Sequence, residues 1–202
     1  MNLNIETTIT YHNINESTAR HQHHIGGSRS GKTYAILQWL IVQCLQQKIM
    51  VNIVRSTMPS LRRSVIKDLR DILNDLGIWV PENWSESNKT YTFGSGAVIT
   101  FFSTDDEGKL RGIKADISWL EEASEIDSDS AFQIGIRTTK KIIYSYNPTI
   151  SPYHWLRQQY GDKDVEVFKT TYLDNPFIPK EQIMAIEGLK EKNPKYWQIY
   201  GL

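Results

Sequence analysis

The densest chemistry in the chain lies at Gly26-Gly27-Ser28-Arg29-Ser30-Gly31-Lys32-Thr33, a glycine, four residues, then glycine, lysine and threonine. This spacing suits a loop that wraps phosphates. The glycines let backbone N–H groups turn inward around an anion, Lys32 brings a point charge to the β and γ phosphates, and the Thr33 hydroxyl can reach magnesium. Tyr34 to Leu45 then reads as an apolar helix whose N-terminus aims its positive dipole end at the same anion. A second candidate group follows the short apolar run Ile117 to Leu120: the adjacent carboxylates Glu121 and Glu122. In hydrolases with a phosphate loop, an acid at the end of an apolar strand holds magnesium, usually through water. An acid directly after it can orient and deprotonate the attacking water. Neighbouring strand residues point to different places, which assigns Glu121 to magnesium and Glu122 to the base. Apart from the loop, the stretch EEASEIDSD would read as a solvated acidic helix start. The third candidate is Asn147, at the end of a strand from Lys141 that stops at Pro148 because proline lacks the ladder donor. Strand C-termini line the ligand crevice of an open parallel sheet, so Asn147 could sense the γ phosphate or the attacking water. Taken alone it would be a turn residue.

These residues need a scaffold, and the pattern of segments supplies one. Stretches rich in β-formers alternate with helical ones, which predicts an α/β layered fold. Ile49 to Val54 reads as a buried strand and Ser60 to Leu76 as one amphipathic helix with Leu61, Val65, Leu69, Ile72 and Leu76 on its apolar stripe. Gly77 is its expected C-terminal cap. Arg62, Arg63, Lys67 and Arg70 fall on or beside the polar face, either as a solvated surface or as a strip against nucleic-acid phosphates. Thr90 to Phe93 and Ala97 to Phe102 flank Gly94-Ser95-Gly96 as a hairpin. Beyond Pro148 a short helix is expected at Pro152 to Tyr160, a strand at Val165 to Tyr172 and a helix at Lys180 to Lys192. Lys190, Lys192 and Lys195 cluster there, as expected of a solvated helix end.

Composition narrows the function classes. The chain has 202 residues, suited to one large domain, with 23 Lys and Arg against 23 Asp and Glu, so no global positive charge points to nucleic acid. Its longest apolar helix is interrupted by Gln38 and Gln43 and is too short to span a bilayer, and no signal peptide is recognisable. Cys44 is the single cysteine and lies in that helix, which predicts a buried thiol and a reducing compartment. His21, His23 and His24 have no cysteine or carboxylate at ligand spacing, which argues against a metal there. Adenine contacts are expected from this upstream stretch, including Tyr11 or His24. No guanine-reading NKxD motif follows the core strands, which disfavours a GTPase.

The order of motifs resembles the ATPase domain of tailed-phage terminase large subunits, the motors that pump double-stranded DNA into a procapsid. The resembling segments are GGSRSGKT at Gly26 to Thr33, DDEGKLRGI at Asp105 to Ile113, WLEEASEI at Trp119 to Ile126, YNP at Tyr146 to Pro148 and TYLDNPFIP at Thr171 to Pro179. The resemblance implies a P-loop NTPase fold of the ASCE or RecA-like kind, with a mainly parallel sheet flanked by helices. It implies a core over residues 1–150 and a lid or linker subdomain over 151–202, continuing the ATPase domain. Arg111 of KLRG matches the arginine finger that reaches a neighbouring subunit's ATP; on its own it would pair with Asp105, Asp106 or Glu107. Arg29 matches a loop arginine that touches the γ phosphate within the same subunit, and Asn147 matches the motif coupling hydrolysis to subdomain movement. Mg²⁺ is the implied cofactor. ATP, double-stranded DNA, the portal protein and the small terminase subunit are the implied partners, without a membrane. A homo-oligomeric ring on the portal is implied, with a monomer in isolation equally compatible, and the host cytoplasm is the implied compartment. Where the family's strand before the loop is strongly apolar, this chain reads RHQHHI. Family members continue past a segment like Tyr196 to Leu202 into a nuclease domain, so the expectation is a motor domain that cannot cut DNA alone. A helicase-like ATPase and a nucleotide-dependent assembly switch are the alternatives; the second acid, Glu122, has little use in a pure switch.

Overall fold

In the computed structural model, residues 5–112 and 114–201 are described, apart from the side chains at 107, 109, 111 and 198–200. The chain begins with α1 (Ile9–Glu16), β1 (His21–Gly26), α2 (Lys32–Gln46) and β2 (Met50–Arg55). It continues through α3 (Met58–Arg63), α4 (Val65–Asp75), β3 (Trp84–Ser85), β4 (Thr90–Thr92) and β5 (Val98–Ser103). Then come α5 (Glu107–Gly112), β6 (Ala115–Glu121), α6 (Ser128–Gly135), β7 (Thr138–Tyr146) and α7 (Trp155–Gln158). The final elements are β8 (Val165–Thr170), α8 (Lys180–Glu187), α9 (Leu189–Lys192) and α10 (Pro194–Tyr200).

The strands form one eight-stranded sheet in the order β3-β4-β5-β2-β6-β7-β1-β8. From β5 to β8 every pair is parallel, and only β3 and β4 add antiparallel strands at the edge. Parallel pairing puts the C-terminal ends of β1, β2, β6, β7 and β8 on one crest, where ligands bind in open α/β sheets. Strand alternation splits the core in two. Val51, Ile53, Phe101 and Trp119 face α2 and α4 with Ile36, Leu40, Leu69 and Ile72, while Val54, Phe102, Leu120 and Tyr144 face Ala131, Ile134 and Leu156. Trp119 is fully buried, and its ring N–H donates to Ser145 Oγ at 2.9 Å, which ties β6 to β7 beneath the crest.

The α/β fold and mainly parallel sheet agree with the sequence reading. The hairpin forms as expected, with Thr92 opposite Val98 and Gly96 left-handed at φ 83. Gly77 caps α4 at φ 67, and Ile78 N–H donates back to the Leu73 carbonyl at 2.9 Å. The single helix expected over Ser60 to Leu76 is instead broken at Ser64, at φ −109 and ψ −96. There the Ser64 hydroxyl donates to the Ser60 carbonyl at 2.9 Å and accepts from Arg55 at 3.1 Å, so a side chain competes with the helical ladder. The helix expected over Lys180 to Lys192 divides at Gly188 into α8 and α9. The short helix after Pro148 is confined to α7. Among residues 151–202, the strand expected at Val165 to Tyr172 ends at Thr170 and joins the central sheet as β8 beside β1. Helices α1, α5, α6 and α10 and strand β3 had no counterpart in the sequence reading.

Candidate active site

The loop between β1 and α2 is shaped by close approach and by two left-handed residues. A Cβ on Gly26 would lie 2.3 Å from the Thr170 carbonyl oxygen of the neighbouring strand, so only glycine fits. Arg29 at φ 70 and Gly31 at φ 80 then turn the chain into α2. That helix starts with no side-chain cap, which leaves its first N–H groups facing the loop. Lys32 is 9% exposed, and its Nζ donates to the carbonyls of Gly26 at 2.6 Å and Gly27 at 3.2 Å and to Ser30 Oγ at 3.1 Å. Burial lowers its pKa to about 8, against the opposing pull of Glu122 and Glu121. A phosphate entering this loop would therefore meet a pre-positioned amine whose charged form it favours. Thr33 is half-buried on the first turn of α2, and Ser28 and Arg29 are exposed at the loop tip.

The carboxylates stand across the same crest. Glu121 ends β6 at 5% exposure. Its Oε2 lies 3.1 Å from Arg55 Nε at the end of β2. The two atoms are close without hydrogen-bond alignment, so the contact is Coulombic and the Glu121 oxygen keeps its acceptor capacity. Burial raises the Glu121 pKa to about 7; Arg55 opposes the rise, and Glu122 adds to it. Such an oxygen, buried and with its hydrogen-bond capacity unused, fits a hard divalent cation directly or through water. Together with the Thr33 hydroxyl it is the pair that could hold Mg²⁺ alongside nucleotide phosphates. Glu122 adopts φ 48 and ψ 51, which is unusual for a residue with a β-carbon. Its pKa is raised, first by burial, with Lys32 and Arg55 opposing. A carboxylate raised by burial and facing a lysine is suited to accept a proton from water. Asn147 follows β7 directly; the register pairs Ile25 with Tyr146, which places Asn147 beside Gly26. Arg111 belongs to α5, and its side chain lies outside the described residues.

A cavity of about 680 Å³ adjoins the loop, lined by Gly31, Tyr34, Gln38, Leu76, Asn175 and Phe177 among others. His24 and Tyr11 do not line it. His24 is 1% exposed and stacks on Phe168 at 5.1 Å, and Tyr11 packs against the core on the α2 side. Burial lowers the His23 pKa to about 4 and the His24 pKa to about 3, so both are neutral rings within a buried strand. His23 Nδ1 lies 2.9 Å from the Tyr146 hydroxyl, and the His21 ring lies 3.1 Å from that of Tyr144. A wider cavity of about 790 Å³, with Arg20, His21, Phe132 and Trp155 on its walls, sits at the opposite end of β1 from the loop and has no part in this chemistry.

Two residues escaped sequence reasoning. Arg55 reads as a surface arginine after a strand; only the parallel β2–β6 pairing brings it to Glu121. Asn175 donates from Nδ2 to the Arg29 carbonyl at 2.8 Å, a contact spanning 146 positions of the chain. The segment TYLDNPFIP was its only signal. On the basic face of α3 and α4, Arg62 lies 3.6 Å from Glu86 and Lys67 2.6 Å from Asp71, while Arg70 lies over the Trp79 ring at 5.1 Å.

Among known proteins, the phage terminase large subunit family matches residues 18–202. The terminase large subunit of Bacillus phage SPP1 is 26% identical over 196 residues, covering 87% of this chain and 46% of that protein. The large terminase of the thermophilic bacteriophage D6E has a TM-score of 0.80 at 19% identity, covering 98% of this chain and 53% of that one. That terminase is also known in complex with ADP and with ATP-gamma-S. The large terminase ATPase domain of Thermus phage P74-26 gives a TM-score of 0.62 at 14% identity, covering 94% of this chain and 89% of that domain. The chain spans about half the length of the SPP1 and D6E proteins. The family match runs through the phosphate loop, the paired carboxylates and Asn147, and the chain belongs to the phage terminase large subunit family.

Proposed function

We propose that this chain is the ATP-hydrolysing motor part of a terminase large subunit, powering translocation of double-stranded DNA into a procapsid. The observation that carries the reading is the meeting of Lys32, Glu121 and Glu122 on one crest of a parallel sheet, each with its pKa displaced first by burial, and with both carboxylates acting on Lys32. The loop N–H groups and Lys32 hold the phosphates, and the nucleoside enters the cavity between Tyr34 and Phe177. Mg²⁺, held near Thr33 and Glu121, would neutralise charge developing between the β and γ phosphates. Glu122 accepts a proton from the attacking water, and Arg29 at the exposed loop tip reaches the γ phosphate. Arg111 on α5 is the finger offered to a neighbouring subunit in a ring. Asn147, beside the loop, passes the phosphate state into the sheet. The helices α8 to α10 form the lid or linker that moves in response. DNA, the portal and the small terminase subunit are the partners of this reading, and the host cytoplasm is its place.

The test is steady-state ATP hydrolysis by the wild type and by Lys32→Ala, with and without double-stranded DNA. Turnover lost in Lys32→Ala and increased by DNA supports the motor; turnover indifferent to Lys32 sinks it. Mixing Arg111→Ala with Glu122→Gln subunits at assembling concentrations should restore part of the rate, and no recovery would place Arg111 outside the shared site.

A further inference from the structure

We propose that Asn175 is a positioning residue of the ATPase site, holding the Arg29–Ser30 peptide of the phosphate loop in its anion-binding orientation from outside the loop. The proposal rests on the reading of the loop as a nucleotide site. Arg29 sits at φ 70, a conformation that β-carbon sterics disfavour in any residue but glycine. Asn175 Nδ2 donates to its carbonyl at 2.8 Å. The C=O and N–H of a trans peptide point in opposite directions, so holding the Arg29 oxygen outward turns the Ser30 N–H inward. There it points across the loop at the Gly27 carbonyl, 3.4 Å away. The same amide packs on Gly31, where an added Cβ would lie 3.4 Å from Asn175 Cγ. If Asn175 lets go, Arg29 can relax to the right-handed region, and the peptide rotates its N–H out of the cradle.

Asn175 is itself held firmly. Thr171 N–H donates to Asp174 Oδ2 at 2.7 Å and Leu173 N–H to Thr171 Oγ1 at 3.2 Å, a reciprocal cap just before it. Tyr172 is fully buried, and its hydroxyl donates to Glu187 on α8. Asn175 Oδ1 accepts from Phe177 N–H at 3.1 Å, so the side chain uses donor and acceptor together. Aspartate keeps only the acceptor.

The experiment measures ADP affinity by calorimetry in the wild type, Asn175→Ala, Asn175→Asp, Arg29→Gly, Lys32→Ala and the Arg29→Gly, Asn175→Ala double variant. Thermal melts without nucleotide check that each folds. ADP is chosen because it lacks the phosphate that the Arg29 side chain is expected to touch. Asn175→Ala should weaken ADP about tenfold, the equivalent of about 1.4 kcal/mol, and Asn175→Asp at least as much. In the Arg29→Gly background, where glycine turns left-handed unaided, the further loss from Asn175→Ala should shrink to about twofold. Should Asn175→Ala not fold, Asn175→Asp, which retains the Phe177 contact, carries the measurement. Wild-type affinity in the Asn175 variants, or an equal loss in both backgrounds, overturns the assignment. Wild-type affinity in Lys32→Ala would overturn the nucleotide reading itself, and with it this proposal.

Discussion

At the end of β1 the backbone turns left-handed at Arg29 and Gly31, φ 70 and 80, and at the end of β6 it does so at Glu122, φ 48. The two junctions lie on one crest, and Lys32 responds to the carboxylates across it. They differ in what holds them. The loop places glycine at one of its two left-handed positions and clamps the other through Asn175. The acidic junction has no glycine at its turn; its left-handed residue carries the carboxylate itself, and the turn behind it is closed by the Glu125 N–H, donating to the Glu122 carbonyl at 2.8 Å, and the Ile126 N–H, donating to the Ala123 carbonyl at 3.2 Å. Strain at a residue whose side chain is needed is a mark of function rather than of folding economy. The comparison also separates the charges: Lys32 lies among loop acceptors, whereas Glu121 is buried beside Arg55, whose Nε lies 3.1 Å away.

The largest effect should come from replacing Glu122, the proposed base. Glu122→Gln keeps the side-chain shape and should lower kcat by roughly 10²–10⁴ while leaving nucleotide affinity within a few-fold; hydrolysis at the wild-type rate would return Glu122 to a structural role. Next is the pH dependence of stability. The Glu121 pKa is raised from 4.5 to about 7 in the folded protein, so the folded state holds its proton more tightly than the unfolded chain. Its stabilisation is complete below pH 4.5 and is lost as pH rises to about 7, an effect on the order of 3 kcal/mol. Glu122, raised in the same direction, adds to the slope. Urea melts without nucleotide across this range should show the loss, and Glu121→Gln should flatten most of it. A wild-type curve flat from pH 4.5 to 7 would contradict a carboxylate whose burial outweighs its Arg55 contact. The smallest effect tests the backbone comparison by its sign. Glu122→Gly should stabilise the fold by about 1 kcal/mol, because glycine accepts φ 48 without penalty, whereas Gly31→Ala should destabilise it by about 1–2 kcal/mol. The same sign for both would mean the two turns are not held differently.

Much of this site was legible in the chain because its parts are local. Gly26 to Thr33 and Glu121-Glu122 are each contiguous; the loop is read from its own spacing, and the acid pair takes its reading from the loop. The histidines of β1 show the limit: RHQHHI reads as a polar strand, but pairing between β7 and β8 buries His23 and His24 and leaves them neutral. The break at Ser64 was also hidden, since leucines at helical spacing continue through it and the competing partner, Arg55, comes from another element.

The sequence by itself determined that a phosphate loop, two acids and a strand-ending asparagine exist, because backbone freedom and side-chain chemistry are properties of residues and their immediate neighbours. Only the tertiary structure decided which of them meet. Parallel pairing aligned the ends of β1, β6 and β7, brought Arg55 to Glu121, and placed Asn175 against Arg29 from 146 positions away. Contacts of that range depend on sheet order and on the burial that shifts each charge, which no window of sequence contains.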